Sequence, residues 1–201
     1  MTILSDRDIL KEYKKGNIKI EPYNKALLQG CSYDIRLDEF FVELEAYRKF
    51  GQEKPDPFDM TNFEGSKTLL GYFERGSRII LKPKQRVLAS TIEQIGSLSP
   101  TITTKIHAKS SWGRHGLEVC SCAGYGDPGY ATHWTLEIYN KNDYSVILKK
   151  GMIISQVSFE YLSSPCKKMY KSKYNNWGDN LLTDQERFKL MIPKPIKILE
   201  D

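Results

Sequence analysis

Trp134-Thr135-Leu136-Glu137-Ile138-Tyr139 alternates apolar and polar side chains, the mark of a strand with one buried face. The same alternation runs through Cys31-Ser32-Tyr33-Asp34-Ile35-Arg36-Leu37, and Arg78 to Leu81 and Arg86 to Ala89 read as short strands around Lys82-Pro83-Lys84-Gln85. Turn signals fall between them at short intervals: Gly76-Ser77, Pro100, Gly124 to Gly129, Lys141-Asn142-Asp143 and Lys149-Lys150-Gly151. Many short strands punctuated in this way predict a mainly β sandwich or barrel rather than a parallel α/β sheet.

One short helix precedes the strands. Ser5 caps it with Asp8 three residues on, Leu4 and Ile9 are spaced for a hydrophobic staple, and Gly16 is a natural stop. Glu45 to Gly71, rich in Pro, Gly and charge without a period, reads as a long excursion between strands. From residue 165 to 201 the chain reads as a mobile tail carrying Lys167, Lys168, Lys171 and Lys173. The 201 residues are expected to form one domain, a length at which folding buries roughly 70% of the surface exposed by the unfolded chain.

Thirty basic residues against 25 acidic ones leave a formal net charge of +5, which suits a polyphosphate ligand without singling one out. No basic block, aromatic-basic interleaving or helix-turn-helix pattern occurs, so nucleic acid is not an expected partner. Met1 to Arg7 holds no apolar run of secretory type, and no stretch approaches the roughly 20 apolar residues that span a membrane. A soluble, cytoplasmic protein is the expectation. Cys31, Cys120, Cys122 and Cys166 are too few and scattered for a disulfide framework, and Cys120-Ser121-Cys122 lacks the gap of a zinc knuckle; they read as reduced, packed thiols.

A zinc-dependent nucleobase deaminase would need His-x-Glu and Pro-Cys-x-x-Cys. His107, His115 and His133 have Lys109, Leu117 and Thr135 two places on, and Pro165-Cys166 runs into Lys167-Lys168-Met169, so neither motif is present. A Walker A loop and a dinucleotide fingerprint are likewise absent. What remains is the polar stretch Lys109-Ser110-Ser111-Trp112-Gly113-Arg114, whose paired hydroxyls and flanking cations could serve phosphate oxygens or form a charged surface turn. Ala123-Gly124-Tyr125-Gly126-Asp127-Pro128-Gly129-Tyr130 follows, its glycines allowing either a close approach to a ligand or a hairpin.

Together these segments resemble the dCTP deaminase family of the trimeric dUTPase superfamily. The family pattern Arg-Ser-Ser-x-x-Arg-x-Gly-Leu, then Ala-x-x-x-Asp-Pro-Gly-aromatic, Thr/Val-Leu-Glu-x-x-Asn and Gly-Met stands here as Lys109 to Leu117, Ala123 to Tyr130, Thr135 to Asn140 and Gly151-Met152. Ser5-Asp6-Arg7-Asp8-Ile9, the Gly16 to Pro22 stretch and Ser32 to Leu37 look like its N-terminal signature, so the similarity covers nearly the whole chain.

The resemblance implies a distorted jelly-roll assembled as a homotrimer, with sites between subunits and a pyrimidine deoxynucleoside triphosphate as ligand. It implies deamination of dCTP to dUTP and ammonia without zinc, extended in bifunctional members to dUMP, with Mg2+ carried on the nucleotide phosphates. Glu137 matches the general base, Ser111 the residue that holds the attacking water, and Arg114 the cation that orients Glu137 and favours its charged form. Asp127 matches the contact to the deoxyribose 3′-hydroxyl, Lys109, Ser110 and Gln156 the phosphate contacts, and Tyr170 and Lys173 the tail residues that fold over the nucleotide; Ala123 falls in the same motif. Three departures stand out. Lys109 replaces an arginine fork with a point charge, Gly126 replaces a larger residue before Asp127, and Lys173-Tyr174-Asn175-Asn176 lacks the usual glutamine. Two other readings remain: a dUTP diphosphatase in which Asp127 sets the water, and a nucleotide-responsive binding protein that has lost turnover.

Overall fold

The computed structural model describes residues 2–46, 60, 61, 69–121, 123–171, 174 and 183–194. In chain order its elements are β1 (Thr2–Ile3), α1 (Asp6–Lys14), β2 (Ile18–Glu21), β3 (Tyr33–Ala46), β4 (Leu69–Arg75), β5 (Arg78–Leu81), β6 (Arg86–Ser97), β7 (Ile102–Ala108), α2 (Ser110–Arg114), β8 (Leu117–Glu118), β9 (Tyr125–Gly126), β10 (Ala131–Asn140), β11 (Val146–Lys149), β12 (Ile153–Tyr161) and α3 (Asp184–Met191). One strongly curled sheet runs β8-β10-β6-β3-β12-β7-β9, with β1 added to β12, β2 to β6 and β4 to β3, while β5 and β11 pair separately. This is the mainly β architecture that the strand pattern predicts, in the distorted jelly-roll form that the resemblance implies. No helix among the described residues is long and apolar enough to cross a membrane.

The alternation of the strands fills the interior. Tyr33, Ile35 and Leu37 of β3 and Leu136 and Ile138 of β10 are fully buried, and they share one core with Val157 and Phe159 of β12. At the N-terminus Ser5 accepts the Asp8 amide at 3.4 Å, Leu4 and Ile9 are buried, and Gly16 adopts φ +78°, so the cap, staple and stop are all realised.

Two elements outrun the sequence reading. β6 continues past Ala89 to Ser97 through buried polar residues. Glu93, with no exposed surface, accepts both the Arg36 amide and its Nε at 2.7 Å, which compensates the carboxylate for lost water. The excursion is also shorter than expected, since β3 reaches Ala46 and β4 begins at Leu69 as its antiparallel partner. Residues 47–59 and 62–68 between them lie outside the described residues.

In the segment read as a tail, several of the described residues make contacts with the body of the fold. Cys166 donates its amide to Pro100 O at 2.8 Å and Tyr170 to Pro128 O at 2.7 Å. Further on, Thr183 and Glu186 form a reciprocal capping box that starts α3. Met191 of α3 completes a second buried cluster with Phe40, Val42 and Leu88, with Phe188 and Ile192 packed against it. Arg187 fixes the helix from the side, 3.3 Å from Asp38 and with its guanidinium 4.5 Å from the centre of the Phe40 ring.

Candidate active site

β10 decides where the chemistry points. Trp134, Leu136 and Ile138 face the core, while Thr135, Glu137 and Tyr139 are half-buried on the opposite face. That face opens on a cavity of about 470 Å3. Of the residues singled out in the sequence, Glu137, Ala123, Asp127 and Tyr170 line it. Lys173 lies outside the described residues.

Glu137 forms one wall, and Leu88 of β6 is its direct cross-strand partner. Burial raises the Glu137 carboxyl above the ordinary carboxylate range, with its own backbone N–H and the charge of Arg86 pulling the other way. A carboxyl whose charged form is disfavoured in this way holds a proton more readily than a solvated one, which suits it to accepting and returning one. The same burial acts on its neighbours. Desolvation pushes the Cys120 thiol up, helped by the charges of Glu137 and Glu118, and it pushes the Tyr130 phenol up, helped by Tyr170 and Glu137.

The Asp127 turn forms the rim. Its shape is fixed by Tyr130 N donating to Asp127 O at 2.9 Å, Gly129 N to Ser97 O at 3.0 Å and Ser97 N to Tyr130 O at 3.1 Å. Gly129, at φ +93°, lies so close to the Tyr170 backbone that an added Cβ would come within 2.9 Å of its carbonyl oxygen. Tyr130 then meets Trp134 and Tyr170 edge-on, at 4.8 and 5.2 Å between ring centres. Gly126, one of the departures, is required by this fold: a Cβ there would collide with Thr104 Oγ1 and would lie 2.8 Å from the Trp134 ring.

The other site candidates sit elsewhere on the chain. Lys109, Ser110, Ser111, Arg114 and Gln156 do not line the cavity. Ser110, Ser111 and Arg114 are exposed on α2, which is anchored by Trp112 donating its indole N–H to Ile153 O at 2.9 Å. Beside α2, Lys109 Nζ donates to Asp34 Oδ1 at 2.7 Å, and Asp34 is almost completely buried. Next to that pair on β12, Gln156 accepts the Ser32 hydroxyl at 3.2 Å through Oε1. Asn140, the last residue of the Thr-Leu-Glu-x-x-Asn motif, is fully buried and donates to the carbonyls of Leu81, Lys82 and Tyr144, so it shapes the fold.

Sequence reasoning missed two contributors to the cavity. Arg86, at the start of β6, brings a cation to its mouth, and Leu190 to Pro193 at the end of α3 close one side. The capping box Thr183-x-x-Glu186 was the available signal for α3. No such signal marked Arg86, because only the register of β6 against β10 brings it onto the Glu137 face. Among the described residues no group of three or more His, Cys, Asp or Glu side chains is placed to hold a metal ion.

Comparison with known proteins agrees with this architecture. A dCTP deaminase from Agrobacterium tumefaciens shares the fold with a TM-score of 0.57 at 19% identity, over 79% of this chain and 47% of that one. A protein of Clavibacter michiganensis named dCTP deaminase, dUMP-forming, is 39% identical over 170 residues, 85% of this chain and 81% of its own length. A Nocardioides protein of the same name is 39% identical over 175 residues, 87% of this chain and 88% of its own. The profile described as dCTP deaminase-like matches residues 3–162, and the chain belongs to that family.

Proposed function

We propose that this chain converts dCTP to dUMP in one site, releasing ammonia and diphosphate: dCTP + 2 H2O gives dUMP + diphosphate + NH3. The observation that carries the reading is the division of the site residues into two groups. Glu137, Asp127, Ala123 and Tyr170 gather round a cavity, whereas Lys109, Ser110, Ser111, Arg114 and Gln156 do not line it. A homotrimer in which one subunit's α2 faces its neighbour's cavity completes the site from these halves.

In that complex Glu137 takes a proton from the water that attacks C4 of cytosine and returns protons to the ring and to the departing ammonia. Ser111 holds the water, Asp127 contacts the sugar hydroxyl, and Tyr170 covers the base. Lys109, Ser110 and Gln156 bind phosphate oxygens, with Lys173 joining them from the tail. Asp34, the carboxylate beside Lys109 and Gln156, is already bonded to Lys109, so the cluster offers donors to phosphate rather than a cage for a cation. Mg2+ is therefore held by the triphosphate itself, and no zinc is invoked.

The dUMP product, rather than dUTP, is favoured by the name that the Clavibacter and Nocardioides relatives share. A dUTP diphosphatase is the second reading, favoured by Asp127 standing exposed on the cavity rim where it can reach a water. Incubating the protein and Mg2+ with each pyrimidine deoxynucleotide, and measuring ammonia, diphosphate and dUMP, separates the two. Ammonia and dUMP from dCTP support the proposal. Diphosphate from dUTP with no ammonia from dCTP replaces it with the diphosphatase.

A further inference from the structure

The motif pattern assigns the cation that orients Glu137 to Arg114, yet within the chain Arg114 is exposed on α2 and does not line the Glu137 cavity. A different arginine does. Arg86 opens β6, and the register Glu137↔Leu88, Tyr139↔Arg86 sets its side chain on the same face as Glu137, one diagonal step away. Diagonal cross-strand neighbours lie roughly 7–8 Å apart at Cα, within the reach of a long side chain. Arg86 lines the cavity and is exposed, and its side chain has no hydrogen-bond or ion-pair partner among the described residues, Glu137 included. A guanidinium on a rigid central strand, uncommitted and beside a half-buried carboxylate, is a built-in counter-charge.

We propose that Arg86 is the positioning residue for Glu137, a counter-charge acting through space across one diagonal step of the sheet to orient the carboxylate toward the cavity. The proposal rests on the reading of Glu137 as the general base and adds to it. It divides the work between two arginines: Arg86 sets the state of Glu137 before substrate arrives, and Arg114 acts on the bound nucleotide complex. Burial opposes the charge on Glu137, and its own backbone N–H and then the charge of Arg86 offset part of that opposition.

The other groups around Glu137 do not supply a positive charge. From β10 these are Tyr139 and His133, the latter held below its usual range by burial and donating Nδ1–H to Thr91 O at 2.8 Å. Asp127, Tyr125 and Tyr130 come from the rim, Tyr170 and Tyr174 from the C-terminal segment, and Cys120 from the turn after β8. Glu118 lies across from Tyr139 but is paired with Lys141 at 2.6 Å, so that lysine is already spent.

The test is a direct titration of the Glu137 carboxyl by 13C NMR in the full chain, assigned by its absence from Glu137→Gln and repeated in Arg86→Gln and Arg86→Lys. Loss of the opposite charge in Arg86→Gln is expected to raise the Glu137 pKa by roughly half to one, with Arg86→Lys close to the parent. The acid limb of kcat/KM for ammonia release should move to higher pH in the glutamine variant and return in the lysine variant. Because Arg86 is exposed, both variants should fold, which circular dichroism checks. A Glu137 titration curve that is unchanged in Arg86→Gln overturns the proposal. If Glu137→Gln retains ammonia release, the general-base reading fails by itself, while the NMR result still decides the role of Arg86.

Discussion

The amide of Tyr170 donates to the carbonyl of Pro128 at 2.7 Å, so the segment after the last strand is tied to the same turn that carries Asp127. The C-terminal chain is therefore part of the cavity. Its helix α3 contributes Met191 to a buried cluster, and the residues after it close the cavity side. Met191→Ala is expected to cost about 2 kcal/mol, the low end for a buried methionine because the cluster is small and near the surface. Thermal or urea denaturation measures it, and an unchanged midpoint would mean that α3 is not docked.

Gly126→Ala should destabilise by about 1–3 kcal/mol, because the added methyl meets Thr104 Oγ1 and the Trp134 ring, and neither can move without disturbing the sheet. The effect belongs to the fold, so nucleotide affinity per folded molecule should change little. A variant as stable as the parent would show that the turn relaxes freely.

Lys109 has an observed contact with Asp34 and a proposed one with phosphate, and a pair of substitutions separates them. Lys109→Met leaves Asp34 buried without its partner and should cost about 3 kcal/mol, whereas Asp34→Asn combined with Lys109→Met should recover most of that loss. Both variants should bind the triphosphate more weakly than the parent. Recovery of stability without recovery of affinity is the expected pattern in denaturation and calorimetry. Equal losses in the single and double variants would remove the structural half of the argument.

Under the proposed mechanism Glu137 also links activity to stability. Burial raises its folded-state pKa above the unfolded value, so the proton is bound more tightly in the folded chain. The stability contributed by this group is complete below the unfolded value and is lost as pH rises through the raised one. Glu137→Gln should therefore melt higher than the parent at pH 8, with the gap closing toward pH 4. A gap of constant size across that range would contradict a raised pKa. The same variant should lose ammonia release by at least about a hundredfold while still binding nucleotide.

The strands were legible where alternation was clean, as in Trp134 to Tyr139, because one face is buried and the other is not. β6 was only half legible. Thr91, Glu93 and Gln94 read as polar, and the partners that make their burial tolerable, such as Arg36 for Glu93, lie far away in sequence. Glu137, Ala123, Asp127 and Tyr170 could be named from motifs, but no motif says which of the named residues share one cavity within a chain. That follows from the fold, in which no residue of α2 lines the cavity that β10 faces. Arg86 was invisible because its relation to Glu137 is a matter of register, and α3 was overlooked although its capping box is written in Thr183 and Glu186.

The central claim is that Glu137 of one subunit works with α2 of another. Glu137→Gln and Arg114→Ala, each inactive alone, test it when co-expressed and purified as mixed trimers. Sites that draw Glu137 from one parent and Arg114 from the other are intact, so random assembly should restore about a quarter of parental ammonia release from dCTP. Mixed trimers no more active than either variant alone would contradict the account, since Glu137 and Arg114 would then have to act within one chain.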